Sequence, residues 1–132
     1  MTFSVIAPPG DEQKLRDVGL EIVQAGKRLG FTMNAEGFLM AWVGESMRVL
    51  VDRDEKGEIV GILMLACGQR WLHNDFTASV LGVQGRDEDG LIDYAKNIAA
   101  AIGAKMFFRE LRTTETLPDG TQRHTVLGTP LQ

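Results

Sequence analysis

The chain has 132 residues, of which 44% are hydrophobic and 24% charged, with a net charge of −4 and a pI near 5.1. That length fits one domain, and the acidic balance argues against sequence-independent nucleic-acid binding, which needs a basic face, while leaving a local basic patch open. The single cysteine, Cys67, excludes a secreted disulfide scaffold, and the longest apolar run, "IVGILMLACG", is too short to cross a membrane.

The N-terminus has neither a basic start nor a long apolar stretch, so no signal peptide is expected, and the chain is expected to be an acidic, soluble protein in a reducing, cytoplasmic setting. "FSVIA" predicts a strand that "PPG" stops. From Asp11 onward, Leu15, Val18, Ile22, Ala25 and Leu29 recur at helical spacing. Asp11 and Glu12 suit that helix's N-terminus, Lys27 and Arg28 suit its C-terminus, and Gly30 suits its C-cap. A shorter helix is predicted over roughly 34–43, with Phe38, Leu39 and Trp42 as its stripe and Asn34 as its cap.

"MRVLVDRDEKGEIVGILMLACGQRW" reads as a β-hairpin turning near Gly57. Its second run, Ile59 to Ala66, is apolar on both faces and predicts a covered central strand, with Cys67 as a buried core thiol. "GQRWLHND" is a polar break, and "FTASVLGVQ" is the next strand, antiparallel to the one before. A turn, "GRDEDG", leads into a helix whose buried stripe is Leu91, Ala95, Ile98 and Ile102, with Ile92 and Ala99 beside it. Either Asp87 or Asp89 would be its N-cap, the other acids being first-turn dipole partners.

"KMFFREL" is a further strand, and residues 112–132 read as a hairpin arm turning at Pro118-Asp119-Gly120. The expected pairs are Thr116 with Thr121, Glu115 with Gln122, Thr114 with Arg123 and Leu111 with Val126. The whole is α+β: a mixed, mostly antiparallel sheet with helices on its faces and a C-terminal β-hairpin arm. Residues 1–111 form the main body, and 112–132 the arm of the same domain.

That element order resembles the GNAT acetyltransferases (the general-control-related N-acetyltransferase superfamily) over roughly Phe3 to Leu111. "EIVGILMLACG" looks like that family's third strand and "TASVLGVQ" like its fourth. The resemblance implies that the helix at 91–102 would hold the pyrophosphate of acetyl-CoA at its N-terminus, where backbone N–H groups and the helix dipole favour an anion. Val83, Gly85, Arg86 and Gly90 would then be the cofactor-binding residues. The family signature is Gln or Arg, two residues, Gly, one residue, then Gly or Ala. Counting from Arg86, Gly90 comes one residue late and Leu91-Ile92 brings bulk; counting from Gln84, Asp87 stands where the first Gly belongs. Asp87, Glu88 and Asp89 would each repel a bound anion by roughly 1 kcal/mol at about 5 Å even in watery surroundings.

The family's acid is often a Tyr after the fifth strand. The only Tyr here is Tyr94, inside the third helix, and the helix that usually follows the fifth strand is missing from the pattern. His73 and Asp75 are the candidate catalytic pair, with a polar hairpin tip as the plain reading of the same residues. Two separated histidines and one cysteine give no metal-ligand spacing, so no metal is expected.

A polar ribbon such as the arm is barely stable alone, and either lies on its own sheet or pairs with another chain. The expected partner-binding residues are Trp71, Thr114, Arg123 and His124, and the expected partner is a protein or a second copy reached through the hairpin. Stripped-down GNAT-like proteins of this size resemble ones encoded by tailed bacteriophages. The resemblance implies a virion or host-interacting component, in the virion or host cytoplasm. The expected function is therefore a non-catalytic binding or structural protein with a degenerate acetyl-CoA loop and no cofactor. The alternative is an active acetyl-CoA-dependent N-acetyltransferase.

Overall fold

The computed structural model describes residues 2–70 and 75–131, with side chains described for all of these except 70 and 111–114. In chain order the elements are β1 (Thr2–Ile6), α1 (Glu12–Leu29), α2 (Ala35–Val43), β2 (Met47–Arg53), β3 (Ile59–Arg70), β4 (Asp75–Gly85), α3 (Glu88–Ala101), β5 (Met106–Thr116) and β6 (Gln122–Pro130). The class is α+β, as the sequence pattern predicts.

The helix ends are set by local chemistry. The Asp11 carboxylate accepts from the N–H groups of Gln13 and Lys14 at 2.8 and 3.1 Å, satisfying two donors that a helix start leaves open. At the other end of α1, Gly30 is left-handed (φ 108°), and Phe31 N–H donates to Gly26 O at 2.9 Å, closing a Schellman motif. Asn34 caps α2 through Gly37 N–H at 3.0 Å.

The six strands lie in the order β1-β2-β3-β4-β5-β6. Every neighbouring pair is antiparallel except β4 and β5, which α3 joins as parallel strands. Side-chain alternation along β2 divides the interior in two. Val49 and Val51 pack with Ile22, Trp42 and Ile62 beneath α1 and α2. Leu50 packs with Leu63, Leu65, Leu91, Ala95 and Phe107 beneath α3. Run 59–66 is thus apolar on both faces because helices cover both of them. Fully burying one such side chain contributes about 1.5–3 kcal/mol.

Two expectations need correction. Cys67 is half-buried against the α3-side core rather than fully enclosed, because it stands beyond the stretch of β3 that the helices cover. The register of the terminal hairpin is also one residue off. Leu117 N–H donates to Thr121 O at 2.7 Å and Gly120 N–H to Leu117 O at 2.9 Å, with Gly120 left-handed (φ 89°). The turn therefore has three residues, not four. Thr116 faces Gln122, Glu115 faces Arg123, Thr114 faces His124 and, after a further shift, Glu110 faces Val126.

Candidate functional site

Strands β4 and β5 are paired only where Thr77–Ser79 meets Met106–Phe108, and beyond that they diverge. Two features of β4 accompany the divergence. Leu65 pairs with Val80 and Met64 with Gly82, so Leu81 is an extra residue in a β-bulge, and it is 62% exposed. At its end, Gly85 has φ 148°, and a Cβ there would collide with the Gly61 backbone across the strand pair. That close approach requires glycine whatever else the turn does.

α3 begins just past this point, and a cleft of about 440 Å³ opens between its first turn and the diverging strands. Val80, Val83 and Ile92 supply its apolar surface. Its polar surface carries two guanidinium groups, Arg86 and Arg109, against the four carboxylates of Asp87, Glu88, Asp89 and Glu110. A shallower apolar groove of about 290 Å³ lies on the opposite face of the sheet, between the 31–34 loop, Phe38, Met64 and Leu81.

Two of the groups at the cleft that would meet an anion, the Arg86 guanidinium and the Gly90 N–H, are engaged within the chain. Arg86 reaches across the sheet to Asp52, Nε to Oδ2 at 2.9 Å and Nη2 to Oδ1 at 3.1 Å, a bidentate pair. Asp52 is fully buried, while the Arg86 side chain is 43% exposed. The Asp52 carboxylate holds the Arg86 guanidinium above its ordinary pKa, burial opposing. Arg86 N–H donates to Val60 O at 3.2 Å. Asp87 is the N-cap of α3, and its carboxylate accepts from Gly90 N–H at 3.0 Å. A Cβ on Gly90 would collide with that same carboxylate and come within 2.9 Å of Phe3 Cζ. Gly85 and Gly90 therefore have packing and capping reasons to be glycine.

The other predicted residues are scattered. Trp71 and His73 lie outside the described residues. Asp75 opens β4 opposite Arg70, roughly 33 Å of extended strand before Gly85 and roughly 17 Å before Val80, the first β4 residue to line the cleft. The candidate Asp75 is thus not brought to the cleft. Thr114, Arg123 and His124 stand in the arm. Arg123 Nη1 lies 3.3 Å from Glu115 Oε2 on the surface, and His124 Nδ1 meets the carboxylate of Glu110 at the cleft rim. Tyr94 packs its ring beside Phe3, centroids 5.7 Å apart.

Sequence reading missed Asp52. One signal was available: in "MRVLVDR" it shares strand parity with Leu50, the inward position on the α3 side.

No protein-family model matches this chain, and no curated protein matches it. Solved structures do. An aminoglycoside acetyltransferase from an uncultured soil metagenomic sample, in complex with trehalose, is 14% identical, with 85% of this chain and 78% of that chain covered at a TM-score of 0.64. A GNAT family acetyltransferase from Staphylococcus aureus is 10% identical over 85% of this chain and 87% of that one, TM-score 0.60. A ribosomal-protein-alanine N-acetyltransferase from Brucella melitensis is 10% identical over 91% and 86%, TM-score 0.58. The chain has a GNAT-like fold, the fold that the sequence resemblance implied.

Proposed function

We propose that this chain is a GNAT-like protein without acetyl-CoA chemistry, and that it works by binding another protein. The observation that carries the reading is the engagement of the α3 N-terminus. Its arginine is tied to a buried carboxylate and its N3 amide to the capping Asp87, both inside a cleft where carboxylates outnumber guanidinium groups. A pyrophosphate placed there would have to displace Asp87 from Gly90 and approach three neighbouring acids. The residues present do not fit the cofactor that the fold family implies, so no reaction step is derived through it.

The cleft itself favours a second reading, an acetyl-CoA-dependent N-acetyltransferase, because it opens at the N-terminus of α3 and is large enough for part of a cofactor. Thermal unfolding in acetyl-CoA separates the two. Ligand at about 100 times its Kd adds roughly 2.7 kcal/mol of stability. No change in midpoint at millimolar acetyl-CoA is the expected result, and a saturable rise would establish the second reading instead.

A further inference from the structure

β6 ends the sheet. Its inner edge pairs with β5, and among the described residues no strand pairs with its outer edge. Nine residues is long for an edge strand, and nearly all of them are exposed. Edges are ordinarily blunted by charge, proline or brevity. Here the proline, Pro130, stands at the strand's end, and the polar residues Arg123 and His124 already face Glu115 and Glu110 of β5. The middle is apolar, with Val126 55% and Leu127 47% exposed.

We propose that the occupant of this edge is a second copy of the chain, paired β6 to β6 in antiparallel fashion about a two-fold axis at Val126. This rests on the reading of the chain as a binding protein and names its partner. A two-fold normal to the sheet sets residues equally far before and after Val126 opposite each other and keeps each on its own face. Val126 is the midpoint of Gln122–Pro130, so this register overlaps the whole strand. Val126 meets its own copy, a β-branched pair of the kind that packs well across strands. Leu127 meets Thr125, His124 meets Gly128, beside which the Phe108 and Met106 side chains of β5 lie, and Arg123 meets Thr129.

Like charges stay apart, since the two Arg123 residues stand six positions from each other, about 20 Å along the strands. Neighbouring registers are worse. An axis at Thr125 sets Arg123 against Leu127 and His124 against Val126. An axis at His124 brings the imidazoles face to face. An axis at Leu127 sets Val126 against Gly128, which has no side chain to pack, and shortens the overlap. Pairing at Val126 joins two six-stranded sheets into one and leaves the cleft at the other side of β5 outside the contact.

Light scattering after size exclusion at millimolar chain reads the mass. The chain is 14.5 kDa, and twice that, 29 kDa, is expected. Val126→Lys, which sets two ammonium groups face to face at an exposed position, should return 14.5 kDa with an unchanged circular dichroism spectrum. In a Cys67→Ser background, Val126→Cys should oxidise to a disulfide-linked dimer. Directly opposed Cα atoms lie about 4.5–5.5 Å apart, within disulfide reach. Arg123→Cys should not cross-link. A monomer at millimolar chain overturns the proposal, as does cross-linking through position 123 in preference to 126. A cross-linked dimer that binds acetyl-CoA would keep this pairing and remove the non-catalytic reading. A monomer that does not bind acetyl-CoA would do the reverse.

Discussion

Gly90→Ala reads out whether Gly90 serves a cap or a phosphate. In an open helix, replacing glycine by alanine gains about 1 kcal/mol. At this position the added Cβ collides with the Asp87 carboxylate and meets Phe3 Cζ at 2.9 Å. Losing the cap costs about 1 kcal/mol, and pushing the Phe3 ring aside costs about 1 kcal/mol more. The single variant should therefore be destabilised by roughly 1 kcal/mol, near 3–5 °C in midpoint for a domain of this size. Asp87→Ala alone should cost about 1 kcal/mol through the same cap. The double variant should also lose only about 1 kcal/mol, because the cap is lost once, leaving a coupling of about 1 kcal/mol between the sites. Urea unfolding of the four proteins measures this cycle. Additive losses, or a Gly90→Ala variant more stable than the parent, would refute the capping argument.

Two other outcomes follow from the same geometry. Arg86→Met should lower the unfolding midpoint, because it strands the buried Asp52 carboxylate. Combining it with Asp52→Asn should recover part of the loss in the same melting assay, and strict additivity would show that the pair is not coupled. Burial pushes the Cys67 thiol pKa up, with Arg48 opposing. The thiolate is the reactive form, so alkylation near neutral pH should be slower than for an unfolded control peptide and should accelerate only as pH rises past the ordinary thiol range. Equal rates near neutral pH would contradict this.

What the sequence made legible was mostly local. Asp11 and Gly30 mark the ends of α1 because a cap is decided within a few residues of itself. The acids of the α3 turn read as helix-start residues for the same reason, although Asp87 and Asp89 were equivalent until the Gly90 hydrogen bond chose Asp87. The double-sided apolar run 59–66 signalled helices on both faces. Hidden features depended on distant or fine geometry. Asp52 is buried because Arg86, 34 positions away, turns back to it. The arm's register hung on the left-handed Gly120, which removes one residue from the turn and moves every pair. The bulge at Leu81 leaves no mark in a strand whose alternation it interrupts once.

The backbone amides of Glu88, Asp89 and Gly90 test the central claim most directly. In a ¹⁵N-labelled sample titrated with acetyl-CoA to millimolar concentration, their resonances should stay in place, with Gly90 held by the Asp87 carboxylate. Saturable shifts centred on Gly85 to Gly90 would show a cofactor seated at the start of α3 and would contradict it.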